Sequence, residues 1–396
     1  MSTLPSVLAR SDSPNRHIVA VDGLRGIAVL LVFLLHFVAL QLPREIASWQ
    51  AYLSVSLGLS FSGVDLFFVI SGFLISGILM DNREAPNFYP VFYLRRVLRI
   101  IPLYYGFILV CWLAGRFAPD ITPQTYPVGA YLGFLSNFWM AANNAWELGW
   151  LAVAWTLAVE EQFYLIFPLL IKVCSPARFV PMAMAAIVLA PVLRVSVLLF
   201  APSWSLSTHV LAPCRMDSLA FGVLAAIAMR HERMHGWLIK HPRAPALLAL
   251  ATLPVLAYLT LSRAEPQMLP MAAFGYTAIG MFYMAVLLAL LLRQPIWLAQ
   301  ICETRILVFI GGISYFIYLF QWMAGSLIFR AFGRPHVQLA SLQDAGLTVL
   351  TLAALAVAGA VSLKFFESRL IALGSRFRYP VLPKESVPPA VFSETG

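Results

Sequence analysis

The first long apolar stretch of the chain is IVAVDGLRGIAVLLVFLLHFVAL, at residues 18–40. About 20 consecutive apolar residues allow an α-helix to cross the hydrocarbon core of a bilayer. Similar runs recur along the 396 residues, of which 61% are hydrophobic and 11% are charged, whereas soluble domains are about 25% charged. A water-soluble domain cannot bury so much apolar surface, so the sequence predicts an integral membrane protein.

These runs favour helices over strands, because they are uninterrupted and lack the period-two alternation of membrane β-barrels. We therefore predict an all-α, polytopic transmembrane helix bundle. Arg10 and Arg16 precede the first run, which is longer than a signal-peptide core and lacks a small-residue cleavage site, so we interpret it as a retained helix. The ten predicted spans are 18–40, 55–79, 97–117, 157–174, 179–200, 213–230, 245–262, 270–292, 306–329 and 344–366.

Basic residues in the loops predict the orientation of this bundle. Loops 81–96, 231–244 and 293–305 and the C-terminal tail carry clusters of Lys and Arg, which favour the cytoplasmic side. A weaker apolar run at 128–142 would move the basic loop 231–244 outside if it crossed the bilayer. We therefore predict that 128–142 is re-entrant or periplasmic and that both termini are cytoplasmic, in a multi-pass protein of the inner membrane.

The sequence predicts one membrane domain with short tails. Residues 1–17 are expected to form a cytoplasmic N-terminal tail, 18–367 the transmembrane domain, and the Pro-rich segment 368–396 a disordered cytoplasmic tail. The net charge of +9 comes from loop residues that set orientation, so we predict no nucleic-acid partner. The four cysteines are scattered without metal-ligand spacing, and we predict no metal site; binding of a divalent metal by buried acids and histidine is the alternative.

Ionisable residues inside the first span are candidates for function, because such groups are costly in lipid unless they face a cavity or a partner. At about 100° per residue, Arg25 and His36 return to within about 20° of each other and lie about 16 Å apart along the axis. One face of this helix therefore carries a deep cation and a histidine nearer the outer surface. Alternatively, Arg25 pairs with Asp22 and snorkels to the cytoplasmic surface while His36 lies at the interface.

The second span places a carboxylate, Asp65, at a depth comparable to that of His36. A carboxylate there can accept a hydrogen bond from one ring nitrogen of His36 and fix its tautomer. The glycines of the same span, Gly63, Gly72 and Gly77, are more simply explained by helix packing.

A cluster of arginines marks the cytoplasmic mouth of the third span. Arg95, Arg96 and Arg99 present guanidinium groups, which suit phosphates. An ordinary positive-inside cluster would have the same composition.

Acidic and other polar residues enter the later spans from the outer side. Glu160 and Tyr164 share a helix face, whereas Glu161 points about 100° away from Glu160; two exposed helix caps would be the alternative interpretation. The polar residues that we regard as candidate substrate contacts are Glu161, Tyr164, Arg215, Asp217, Tyr318 and Gln321.

Four segments, in this order, resemble the membrane acyltransferase-3 family, which O-acylates polysaccharides and other cell-surface saccharides. They are the helix with Arg25 and His36, VDLFFVISGFLI at 64–75, RRVLRIIP at 95–102 and WTLAVEEQFYL at 155–165. The resemblance extends from about Ile18 to Glu367. It implies an acyl-CoA-dependent O-acyltransferase with acetyl as the expected group and a sugar hydroxyl of a glycan, exopolysaccharide or lipid-linked saccharide as acceptor. Acyl-CoA is then the donor substrate, and no tightly bound cofactor is expected.

The resemblance also implies roles for single residues. His36 is the implied catalytic histidine, and Arg25 is its implied partner in the acyl-donor tunnel. Members of the family carry an acid at the position of Glu160 more regularly than at that of Glu161. Together with Asp65, these residues (His36, Arg25 and Glu160) form the candidate catalytic set. Gln321 stands where many relatives have a histidine, which argues against proton transfer at this position. The residues implied to contact CoA or line the tunnel near the thioester are Arg95, Arg96, Arg99, Ser71 and Ser76.

Other classes of function also use charges inside a membrane. Proton-coupled transporters or flippases for a glycan or small molecule contain Arg, Asp, Glu and His at such depths, although no internal repeat is evident here. A structural subunit would not need a deep Arg25 on the same face as His36. The sequence leaves open the oligomeric state and whether His36 is a general base or accepts the acyl group covalently.

Overall fold

A computed structural model describes residues 18–42, 49–117, 127–146 and 149–380. Within these ranges the chain is helical and has no β-strand, which confirms the all-α fold class. In this part of the chain nine helices are long and apolar enough to cross a membrane, and a bent pair of helices raises the number to ten. The prediction of about ten transmembrane helices is therefore confirmed.

The spans are numbered in chain order, with the bent pair as the ninth. They are Val19–Ala39, Tyr52–Asp81, Phe88–Phe117, Trp150–Val173, Pro176–Phe200, Ser207–Ala228, Ala244–Leu261, Met271–Leu291, Arg305–Gly312 with Ser314–Ala331, and Leu342–Ser375. Short helices lie between them at Val128–Leu132, Ser136–Asn143, Glu232–Lys240 and Ile296–Cys302. The weak run at 128–142 thus forms two helices of 5 and 8 residues, each too short to cross a bilayer.

The two predicted boundaries that differ most from the structure belong to the third and tenth spans. The third span begins at Phe88 rather than at residue 97, because the helix continues through the basic segment that hydropathy excluded. The tenth span continues to Ser375, so the predicted disordered tail begins with eight helical residues. Residues 1–17 and 381–396 lie outside the described residues.

The ninth span bends by 73° between its two helices. Just before the bend, the ninth span passes very close to the first span. A Cβ atom at Gly311 would collide there with the backbone carbonyl oxygen of Asp22. The Ser314 hydroxyl donates to the Gly311 carbonyl at 2.8 Å and stabilises the turn. Glycine therefore lets the ninth span pass directly against the first.

The second and sixth spans also pack with their backbones in contact. A Cβ atom at Gly72 would meet the carbonyl oxygen of Leu219, and one at Gly222 would meet the carbonyl oxygen of Val69. Such close helix contacts through small residues are common in membrane bundles. The expected packing role of Gly72 agrees with this contact.

Two ion pairs are fully buried among the second, fifth, sixth and eighth spans. Arg215 donates to Asp65 at 2.7 Å, and Arg194 donates to Asp217 at 2.8 Å, with all four side chains 0% exposed. Thr277 of the eighth span donates to the same Asp217 oxygen at 2.8 Å. Because lipid cannot solvate these charges, the pairs join four spans at fixed positions.

A methyl group at the contact between the second and sixth spans should destabilise the protein. We expect Gly222→Ala to cost about 1–3 kcal/mol, as overpacking does elsewhere, and to lower the melting temperature measured in detergent. Gly106→Ala is the matched control, since a Cβ there meets nothing within 4 Å. An unchanged melting temperature for Gly222→Ala would contradict the close contact.

Removal of one charge from a buried pair should be more harmful than removal of both. Arg194→Met leaves Asp217 without its cation, and we expect a loss of about 3–5 kcal/mol in unfolding free energy. Arg194→Met combined with Asp217→Asn should recover much of that loss. Arg178→Met, at the exposed start of the same span, is the control, and equal melting temperatures for Arg194→Met and Arg178→Met would refute the pairing.

Candidate active site

We call the end of the bundle where the first span begins its lower end and the opposite end its upper end. His36 lies toward the upper end, in a π-helical turn at Leu35–Ala39; such turns are frequent at functional sites. Its Nδ1 atom is 3.2 Å from the side-chain oxygen of Gln321 in the ninth span. The indole ring of Trp322 lies beside the imidazole, with 5.0 Å between ring centres.

Gln321 is itself held in place by the ninth span. Its side chain is fully buried, and its amide nitrogen donates to the backbone carbonyl of Tyr318 at 3.1 Å. The Tyr318 hydroxyl is hydrogen-bonded to the Thr156 hydroxyl at 2.7 Å. This hydrogen bond therefore joins the fourth and ninth spans one helical turn from Gln321.

A second polar cluster lies farther down, between the second and fourth spans. Ser71 donates to one carboxylate oxygen of Glu160 at 3.0 Å, and the Tyr164 hydroxyl donates to the other at 2.8 Å. Both oxygens of Glu160 thus have partners, and the contact with Tyr164 agrees with the predicted shared helix face. Glu161 differs, because its buried Oε1 atom has no hydrogen-bond partner among the described residues.

Arginines from the first and third spans surround this cluster. The Arg25 guanidinium is repelled by Arg99 and attracted by Glu160. One of its terminal nitrogens lies 3.9 Å from a carboxylate oxygen of Asp22, and 18% of the Arg25 side chain is exposed. Arg96 also interacts with Glu160. The structure therefore brings Arg25, Arg96 and Arg99 to one site, which we call the arginine cluster together with Ser71, Glu160 and Tyr164.

Arg95 points elsewhere, although it neighbours Arg96 in sequence. Its Nε atom donates to the backbone carbonyl of Phe377 at 2.8 Å, and its guanidinium carbon lies 5.7 Å from the ring centre of Tyr379. Burial raises the pKa of the Tyr379 hydroxyl above its ordinary value. Arg95 thus binds the C-terminal segment, and its expected contact with CoA stays a prediction.

Asp65 was expected to hold the imidazole of His36, but the structure gives it other partners. Its Oδ1 atom accepts hydrogen bonds from Arg215 and Ser218, both at 2.7 Å. A buried cation compensates a buried carboxylate better than a neutral imidazole can. The side chain that contacts Nδ1 of His36 is instead that of Gln321.

Three further candidate residues are fully buried within the bundle. Arg215 and Asp217, expected to contact substrate, are fully buried in ion pairs. Ser76 is fully buried, and its hydroxyl donates to the Gly72 carbonyl of its own helix. Among the described residues, no group of three or more His, Cys, Asp and Glu side chains is arranged to hold a metal ion.

Sequence reasoning missed two buried residues of the upper half. Arg194 donates to two backbone carbonyls as well as to Asp217, and an arginine within an apolar run was a visible signal. His209 lies 2.5 Å from the Tyr276 hydroxyl and packs against Trp155, with 4.8 Å between ring centres. Its burial depends on packing against Phe61, Trp146, Trp155 and Tyr276, which the sequence around His209 does not specify.

Comparison with known proteins provides independent information about this site. A family model described as an acyltransferase domain matches residues 18–365. The chain is 27% identical to the peptidoglycan O-acetyltransferase OatA of Listeria monocytogenes, over 78% of this chain and 49% of that protein. It is 33% identical to the O-acetyltransferase OatA of Staphylococcus aureus, over 39% of this chain and 25% of that protein. No solved structure matches the chain.

The chain aligns with half or less of the length of these two relatives. The family match nevertheless includes both levels of the site, since it begins at residue 18 and ends at residue 365. Both His36 and the arginine cluster lie inside the matched range. On this basis the chain belongs to the acyltransferase-3 family.

Proposed function

We propose that this protein is a membrane O-acetyltransferase that moves an acetyl group from acetyl-CoA to a hydroxyl of a polysaccharide or other cell-surface glycan. The observation that carries the proposal is the first span, which presents Arg25 to the arginine cluster and His36 to the upper end. The O-acetyltransferase names of its relatives support the acetyl group and the glycan acceptor. The proposal places the termini and the arginine cluster on the cytoplasmic side of the inner membrane.

The arginine cluster has the chemistry to bind the donor. Guanidinium groups bind phosphates through charge-assisted hydrogen bonds, and Arg99 is exposed while Arg96 is half-buried. CoA phosphates would bind these two side chains, and the pantetheine arm would pass Ser71 and Glu160 on its way to His36. Arg25 lies about 16 Å below His36 along the helix, so it would contact the donor arm rather than the reacting carbonyl.

His36 would supply the acid–base chemistry. The acceptor hydroxyl gives its proton to the imidazole while its oxygen attacks the thioester carbonyl. The new C–O bond forms, the C–S bond breaks, and the proton passes from His36 to the departing thiolate. General base catalysis of this kind contributes typically about 10²–10⁴-fold to the rate. Transfer of the acetyl group first to His36, and then to the sugar, would use the same residue.

Loss of the imidazole should remove activity without removing the fold. Release of free CoA from acetyl-CoA by the purified protein in nanodiscs, with polysaccharides added, measures the reaction. We expect His36→Gln to lower the acceptor-dependent rate by about 10²–10⁴-fold. His241→Gln, at an exposed histidine, should retain the parent rate.

The possible results separate the classes of function. Acceptor-dependent CoA release that survives His36→Gln would remove this histidine from the mechanism. A parent protein that releases no CoA with any donor and glycan would refute acetyl transfer and favour a carrier, which does not consume acyl-CoA.

The two neighbouring arginines should differ in donor binding. Arg96→Gln removes a guanidinium of the arginine cluster, and we expect KM for acetyl-CoA to rise about 10-fold or more, since a hydrogen bond to a charged group contributes about 1.5–3 kcal/mol. Arg95→Gln should have a smaller effect, because that side chain binds the Phe377 carbonyl.

A donor without the nucleotide phosphates tests the reason for the difference. With acetyl-pantetheine, the parent and Arg96→Gln should have similar KM values. Equal increases in KM for both donors would mean that Arg96 does not bind the phosphates.

A further inference from the structure

We propose that Gln321 holds His36 in the tautomer that is protonated at Nδ1, so that Nε2 is the nitrogen that takes up and releases the proton during transfer. This inference rests on the proposed function and assigns Gln321 as a positioning residue for it.

The orientation of the Gln321 amide follows from its two neighbours. The Tyr318 backbone carbonyl, 3.1 Å from the amide nitrogen, can only accept a hydrogen bond. The NH₂ group must therefore face Tyr318. The opposite orientation would place two acceptor oxygens about 3.1 Å apart inside a fully buried site, with no hydrogen between them.

This orientation determines the tautomer of the histidine. With the NH₂ group on Tyr318, the amide oxygen faces Nδ1 of His36 at 3.2 Å. A carbonyl oxygen has no proton to donate, so Nδ1 must carry the hydrogen. In a neutral imidazole only one nitrogen is protonated, which leaves Nε2 with its lone pair available.

The chemistry of the amide also limits the path of the proton. A carboxylate or a second histidine next to Nδ1 could accept its proton, whereas the amide oxygen of Gln321 is a far weaker base and only fixes the ring. The proton from the acceptor hydroxyl would therefore arrive at Nε2 and leave from Nε2 to the CoA thiolate, while Nδ1 keeps its hydrogen throughout. A single imidazole nitrogen thus performs both proton transfers.

The decisive measurement is the tautomer itself. Nitrogen NMR of ¹⁵N-histidine-labelled protein in nanodiscs, at mildly alkaline pH, distinguishes a protonated from a bare ring nitrogen. The His36 signals are those that disappear in His36→Gln. We expect a protonated Nδ1 and a bare Nε2 in the parent protein, and a parent spectrum with bare Nδ1 would overturn the inference.

Two variants of nearly equal size connect the tautomer to the rate. Gln321→Met keeps the length of the side chain but offers at most a weak acceptor, so the Nε2-protonated form should become populated and kcat should fall about 10-fold or more, with KM for acetyl-CoA unchanged. A wrong histidine tautomer costs about 10⁴ in kcat in serine proteases. With its carboxyl group protonated, Gln321→Glu still presents an oxygen acceptor to Nδ1 and a donor to the Tyr318 carbonyl, so it should keep the parent tautomer and lose less kcat than Gln321→Met.

The outcomes distinguish this inference from the proposed function. A parent protein with no CoA release under any condition refutes the proposed function, while the nitrogen spectra of the parent and Gln321→Met still decide whether Gln321 sets the tautomer. An active parent whose kcat and His36 spectrum are unchanged in Gln321→Met refutes the positioning role alone. Equal loss of kcat in Gln321→Met and Gln321→Glu, with the parent tautomer in both, refutes it as well.

Discussion

A charge or a strong hydrogen-bonding group inside a bilayer is costly unless it has a partner within the protein, and this constraint determines how most polar residues of the bundle are used. Asp65 is paired with Arg215, and Asp217 is paired with Arg194. These carboxylates are therefore occupied by cations and do not orient the histidine. His36 instead contacts a neutral amide, that of Gln321.

The same constraint separates the bundle into two levels along the first span. Toward the lower end, Arg25 lies among the charges of the third and fourth spans, where Glu160 is held by Ser71 and Tyr164. Toward the upper end, the π-helical turn carries His36 to the ninth span. One helix therefore connects a cationic site with a histidine, and this arrangement suits a reaction whose donor carries phosphates and whose chemistry requires a base.

Close contacts at glycines fix the positions of the spans relative to one another. The first span lies directly against the ninth at Gly311, and the second lies against the sixth at Gly72 and Gly222. Backbones this close leave little freedom for one helix to slide past another. The contact between His36 and Gln321 therefore depends on the packing of glycines that lie outside the chemical site.

The sequence by itself determined the fold class and the number of spans, because hydropathy and a rise of about 1.5 Å per residue set both, and it predicted the depth of each polar residue. It also identified the shared face of Glu160 and Tyr164, since residues four apart on a helix are neighbours. Only the tertiary structure decided which spans face each other. For that reason Asp65, at the predicted depth of His36, pairs with Arg215, and Arg95 turns away from Arg96 toward Phe377. Depth and helix face follow from local spacing, whereas the neighbour across a helix contact depends on how all ten spans pack together.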